Sequence, residues 1–157
     1  MAYLGEKFGL MGRDAAERAM VDQLLCEVMD LRNDAIALFY GNQITFTELS
    51  NPDNDAAAYL DEVVAPHYAK LESWLALKGT PYLAGGSPTA PDFHLWEMLD
   101  QHTLFATDYE MADPLADCPC LTSFAARFSA LPQLAGYFSG PLHSLPCNNK
   151  GALWGGL

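Results

Sequence analysis

The stretch GGSPTAPDFHLWEML, residues 85–99, limits what this chain can fold into more than any other. Gly85, Gly86 and Pro88 break the chain, and Thr89 and Asp92 then stand three apart just before an apolar run. That spacing marks a helix N-terminus. Thr89 caps the backbone N–H of Asp92, and the Asp92 carboxylate reaches back to the N–H of Thr89. Pro91 falls in the first turn, where a missing N–H leaves nothing unpaired that the helix would have satisfied. Thr89 and Asp92 are therefore read as a structural N-cap, starting a helix from Thr89 to about Ala106. A helix begun this firmly in mid-chain is expected to be central to the fold.

The other segments also read as helices. AYLGEKFGLMG, near the start, looks like the end of a helix stopped by Gly9 or Gly12. A second helix is expected from about Asp14 to Tyr40, with Asp14 and Glu17 as another capping-box pair. Val21, Leu24, Leu25, Val28, Leu31, Ala35, Ile36 and Phe39 recur along it at helical spacing. Gln23, Glu27, Asp30 and Asp34 form its polar stripe, and Gly41 ends it. At ~1.5 Å per residue this helix is around 40 Å long and should act as a backbone of the fold.

NQITFTELSNPDND, residues 42–55, reads as a connector. A third helix is expected from about Asp55 to Lys78. Its buried stripe would be Tyr59, Leu60, Val63, Val64, His67, Leu71, Trp74 and Leu75, with a kink near Glu62–Pro66. Shorter helices are expected over about Leu121–Ala130 and in PQLAGYFSG. The tail is too rich in Pro, Gly and Asn for regular structure, yet Leu153 and Trp154 should pack on something. No β alternation of useful length appears. The class is all-α, a bundle of about five to six helices.

Composition narrows the function. The formal charge of −12 makes nucleic acid and anionic membrane surfaces poor partners. No stretch approaches the roughly 20 apolar residues of a membrane span, and no secretory signal is visible. Cys26, Cys118, Cys120 and Cys147 match neither a zinc site nor a C-x-x-C redox pair. They read as reduced thiols, pointing to a cytoplasmic protein. His67, His94, His102 and His143 show no ligand spacing, so no metal site is expected. There is no nucleophile–base pair and no phosphate-cradling glycine loop, so no catalytic residue is assigned.

Four pieces, in order, resemble the C-terminal domain of a cytosolic glutathione transferase of the mu class. YLGEKFGLMGRDAAERA looks like the last helix of that family's thioredoxin-like domain and the linker after it. VDQLLCEVMDLRNDAIALFYGN resembles the long first helix of the helical domain. PYLAGGSPTAPDF resembles the stretch leading into the capped central helix. FSALPQLAGYFSGPLHSLPCNNKGALWGG resembles the mu ending. The resemblance divides the chain into residues 1–13, a remnant of the thioredoxin-like half plus linker, and residues 14–157, the helical domain. It departs at Pro88, where the family usually has a branched apolar residue to staple onto the first turn.

The resemblance implies that Asp92 is structural and not a catalytic acid. It implies that Asp30 accepts the glutathione α-ammonium across a dimer, with Arg32 near the same face. The alternative for Asp30 is one more solvated acid on its stripe. Tyr40 would point its hydroxyl into the hydrophobic-substrate pocket, or else pack as a helix-end aromatic. Trp154 would stand at the pocket's outer edge or simply pack.

No cofactor is implied, only glutathione as co-substrate. The thioredoxin-like half, which holds the family's catalytic hydroxyl, is absent from this sequence. Two functions therefore remain open: the helical half of a transferase, not catalytic alone, and a stand-alone binding or assembly module. Leu4, Phe8, Leu10, Tyr40 and Trp154 are expected on or beside an apolar face. A second copy, a partner protein or the missing half would cover it.

Overall fold

The computed structural model describes residues 1–41 and 51–156. The expected connector lies partly outside the described residues. Among the described residues there is no strand. The elements are α1 (Ala2–Phe8), α2 (Ala15–Tyr40), α3 (Pro52–Ala58), a π-helical turn (Tyr59–Val64), α4 (Ala65–Lys78), α5 (Ala90–Asp108), α6 (Pro119–Ser129), a 3₁₀ turn (Pro132–Leu134) and α7 (Ala135–Phe138).

Helix α5 is the centre. It packs against α2 on one side and α6 on another, with α1 lying near its start. Of the apolar positions expected along α2, Val21, Leu24, Val28, Leu31, Ala35 and Phe39 are buried, while Leu25 and Ile36 are only half-buried. The buried positions meet Leu95, Met98, Leu99 and Phe105 of α5 in one core.

The cap at Thr89 forms as the sequence indicates. Thr89 has extended backbone, φ −127° and ψ 171°, and the reciprocal Thr89–Asp92 box is present. Asp92 is wholly buried. Its Oδ2 accepts from the Thr89 N–H at 2.7 Å and from the Thr89 hydroxyl at 2.7 Å; its Oδ1 accepts from the Leu83 N–H at 2.8 Å. The third bond goes beyond a cap: it ties the loop before the helix to the helix start. Burial pushes the Asp92 carboxyl above its ordinary range, and these hydrogen bonds only partly offset it.

Helix α1 ends at Gly9, in the left-handed conformation at φ 69°. It sits against the start of α5, where the Ala90 N–H donates to the Leu10 carbonyl at 2.9 Å. Gly5 permits this approach, since a Cβ there would collide with the Met11 sulfur.

The second cap is only half the expected box. Asp14 accepts from the N–H groups of Ala16 and Glu17, both at 2.9 Å. Glu17 does not return to Asp14. Its carboxylate takes the backbone N–H and the guanidinium of Arg13, because a charged fork competes better for a carboxylate than one amide does.

The third helix differs most from expectation. It begins at Pro52 rather than near Asp55, and its bend is a π-helical turn, not a simple kink. The Ala65 N–H closes that turn onto the Leu60 carbonyl, just before Pro66, which has no N–H to continue the ladder.

The wider turn changes which side chains face inward. Tyr59 and Tyr68 are nine residues apart and would point to opposite sides of an ideal α-helix. Here both are buried and both grip His102 of α5. Tyr59 Oη is 2.8 Å from His102 Nε2, and Tyr68 Oη is 2.8 Å from His102 Nδ1. Tyr68 thus takes the interior place expected for His67, which is only half-buried. His102 itself is fully buried, and its pKa is pushed down to about 3, mainly by burial.

Helix α6 is capped from a distance. Both Glu72 carboxylate oxygens accept N–H groups at its start, from Cys120 at 2.8 Å and Leu121 at 2.9 Å. The tail closes the fold by one residue of the expected pair. Trp154 is 8 % exposed, whereas Leu153 is 58 % exposed and ties in only through its backbone.

Candidate functional site at the end of the long helix

The last turn of α2 and the chain's tail meet around Tyr40. Its hydroxyl receives the backbone N–H of Asn149 at 3.3 Å and stands 3.4 Å from Asn148 Oδ1. Asn148 also donates from its amide to the Trp154 carbonyl at 3.1 Å. The Leu153 N–H donates to the Phe39 carbonyl. The Trp154 ring lies 4.7 Å from Phe39 and 5.1 Å from Phe105, and its Nε1–H donates to Asp108 at 2.9 Å. The structure thus brings Tyr40 and Trp154 together. Trp154 is a core anchor that pins the tail. Tyr40 is half-buried, and its hydroxyl donates to Asn148 while it accepts from Asn149.

Asp30 and Arg32 stand two residues apart on α2. Asp30 is exposed on the polar stripe of α2. Its neighbours there, Glu27 and Asp34, meet His67 of α4, with Glu27 Oε1 3.0 Å from Nδ1 and Asp34 Oδ2 3.6 Å from Nε2. Lys70 also binds Glu27, at 2.8 Å. Burial alone would raise the Glu27 carboxyl, yet Lys70 and His67 outweigh it and leave it lowered. Arg32 is half-buried. Its charge acts on His94 and Glu97. His94 is 2 % exposed, its Nδ1 has no hydrogen-bond partner, and burial first and Arg32 second push its pKa down to about 4.

Of the residues expected on an apolar face, only Leu4 and Phe8 of α1 are exposed; Leu10 and Tyr40 are partly covered and Trp154 is buried in the core. Tyr3, Leu4 and Phe8 are 77 %, 50 % and 65 % exposed. No three or more His, Cys, Asp or Glu side chains gather as a metal site among the described residues. There also, no helix is long and apolar enough to cross a membrane.

Sequence reasoning did not find Asn148, Asn149 or Asp108. Their roles depend on where the tail lands, and polar residues in a Pro- and Gly-rich segment carry no periodicity to show it. His102 was visible only as a histidine in an apolar helix.

The arrangement is a long helix, a bent helix, a capped central helix and a tail folded back over the first. The model of the glutathione S-transferase C-terminal domain matches residues 29–140, and the chain belongs to that family. It is 32 % identical to human Glutathione S-transferase Mu 3 over 158 residues, covering 99 % of this chain and 62 % of that protein. It is 33 % identical to Glutathione S-transferase Mu 2 of Rattus norvegicus over 155 residues, covering 98 % and 64 %. The chain thus spans just under two thirds of the length of these relatives. Among solved structures, it superimposes on the glutathione S-transferase Blo t 8 with a TM-score of 0.81 at 21 % identity, covering 98 % of this chain and 67 % of that one. That last likeness speaks for the fold.

Proposed function

We propose that this chain acts as the helical half of a mu-like glutathione transferase. It supplies the wall for a small hydrophobic electrophile and one face of a dimer, and it is not catalytic alone. The observation that carries the reading is the family match combined with Tyr40, whose hydroxyl meets the tail at Asn148 and Asn149, in the segment that Trp154 anchors. Residues 1–13 are then the end of a thioredoxin-like half and its linker, and residues 14–157 the helical domain. In conjugation, the glutathione thiolate attacks the electrophile's carbon and the leaving group departs with the electron pair. Tyr40 donates a hydrogen bond to the charge that develops on the electrophile. Asp30, exposed on α2, accepts the α-ammonium of glutathione bound in the opposite subunit, a charge-assisted contact. Arg32 lies along the same helix, nearer the seam with α5. Trp154 shapes the pocket edge by fixing the tail. The exposed α1 face is covered in the working assembly, and the setting is cytoplasmic.

The test is a fusion of the thioredoxin-like half of the rat Mu 2 relative to the N-terminus of this chain, assayed with glutathione and a chromogenic aryl halide. The fusion should conjugate, and the isolated chain should stay at background. Tyr40→Phe should lower kcat, and Asp30→Asn should raise the KM for glutathione. A fusion that is folded, dimeric and glutathione-binding but silent would overturn the transferase reading in favour of a binding or assembly module.

A further inference from the structure

Asp108 closes α5, where a carboxylate meets the negative end of the helix dipole. The last turn of that helix carries no basic residue to offset it. Among the described residues, its one hydrogen bond comes from the chain's tail: Trp154 Nε1–H donates to Asp108 Oδ2 at 2.9 Å. Trp154 is 8 % exposed, and a buried indole N–H needs an acceptor of this kind.

Trp154 in turn fixes a short loop. The Asn148 N–H donates to the Gly155 carbonyl at 2.8 Å, and the Asn148 side-chain amide donates to the Trp154 carbonyl at 3.1 Å. Residues 148–155 therefore form a closed strap. It is moored at three points: the Leu153 N–H on the Phe39 carbonyl, the Trp154 ring against Phe39 and Phe105, and the indole N–H on Asp108. From the strap, Asn148 Oδ1 and the Asn149 N–H reach the Tyr40 hydroxyl at 3.4 and 3.3 Å. Both contacts are long, so a small shift of the strap makes or breaks them.

We propose that Asp108 is a positioning residue for the electrophile: by mooring Trp154 it sets where the strap holds Asn148 and Asn149, and so how the Tyr40 hydroxyl is aimed. The proposal rests on the transferase reading. When the electrophile enters, Tyr40 turns its O–H from Asn148 to the developing charge. The Asn149 N–H still donates to the Tyr40 oxygen and polarises that O–H. Phe39 and Phe105 hold the tryptophan as a ring, whereas Asp108 holds its nitrogen, so the two moorings can be separated by substitution. Asp30, the glutathione contact of the same reading, lies about 15 Å before Tyr40 along α2, so the strap bears on the electrophile and not on glutathione.

The fusion with the Mu 2 thioredoxin-like half tests it. Asp108→Ala should raise the KM for the aryl halide about threefold or more and leave the KM for glutathione unchanged. Asp108→Asn, whose side-chain oxygen still accepts from the indole, should restore most of the parent value. Trp154→Phe keeps the ring and drops the N–H, so it should match Asp108→Ala, and the double variant should be no worse than either. In the isolated chain, the backbone amide resonance of Asn149 should move in Asp108→Ala and in Trp154→Phe and hold in Asp108→Asn, a readout that needs no activity. An unmoved Asn149 resonance would overturn the mooring itself. A moved resonance with an unchanged KM for the halide would overturn the positioning role, as would equal rises in both KM values or additive effects of the two single variants. A silent parent fusion would instead overturn the transferase reading, and the role of Asp108 in conjugation with it, whatever the resonance does.

Discussion

Replacing His102 by Gln isolates the pH dependence built into the core. His102 is fully buried between two tyrosine hydroxyls at 2.8 Å, and its pKa falls from an ordinary 6.5 to about 3. A neutral imidazole offers one donor and one acceptor, so one tyrosine donates to it and the other accepts. Charging it would put a buried cation between the two tyrosine rings, and would leave one tyrosine O–H without its acceptor.

The sign follows from comparing the two states. The folded pKa is depressed, so below pH 6.5 the unfolded chain binds a proton that the folded chain refuses. Stability is therefore fully present above about pH 6.5 and is lost as pH falls toward 3. The slope is about 1.4 kcal/mol per pH unit for one proton, or roughly 2.7 kcal/mol between pH 6.5 and 4.5. His94, lowered to about 4, acts in the same direction and cancels in a comparison of parent with His102→Gln.

Gln keeps one donor and one acceptor and does not titrate. Urea unfolding at pH 7.5, 5.5 and 4.5 is the assay. The variant should be less stable at pH 7.5, because its fit between the tyrosines is poorer. The gap should narrow as pH falls, by about 1.4 kcal/mol per unit once below 6.5. Stability profiles that run parallel from pH 7.5 to 4.5 would refute the claim that His102 is held neutral by burial.

Asp92→Ala strands the Leu83 and Thr89 N–H groups in a buried place, and should cost about 2–4 kcal/mol in urea unfolding. Thr89→Ala should cost about 1 kcal/mol, and the double variant less than the sum, because both serve one helix start. Glu72→Ala should cost about 1–2 kcal/mol and speed amide exchange at Cys120 and Leu121, whose N–H groups lose their acceptor. With Tyr3, Leu4 and Phe8 exposed on one short helix, the isolated chain should self-associate at low micromolar concentration in size-exclusion chromatography with light scattering. A monomer that binds no hydrophobic dye would speak against a covered face there.

What the sequence by itself determined was local and periodic. Asp92 and Thr89 announced their helix because a capping box needs only residues three apart. The stripe from Val21 to Phe39 announced which face of α2 is buried, because one helix repeats every 3.6 residues whatever it packs against. Gly9 and Gly12 announced that α1 stops near them, and the structure puts the left-handed cap at Gly9. The order of four such signals carried the family.

Only the tertiary structure decided the rest, wherever a partner came from far along the chain or a regular repeat was broken. Glu17 chose Arg13 over Asp14 because a guanidinium was within reach. Glu72 became the cap of a helix 48 residues away from it in sequence. The π-helical turn shifted the register between Tyr59 and Tyr68, so a stripe read at 3.6 residues per turn placed His67 inward where Tyr68 stands. Asn148 and Asn149 came to hold Tyr40 because Trp154 found a slot between Phe39 and Phe105. A sequence states which residues repeat; which distant atoms share a buried volume depends on how every helix packs at once.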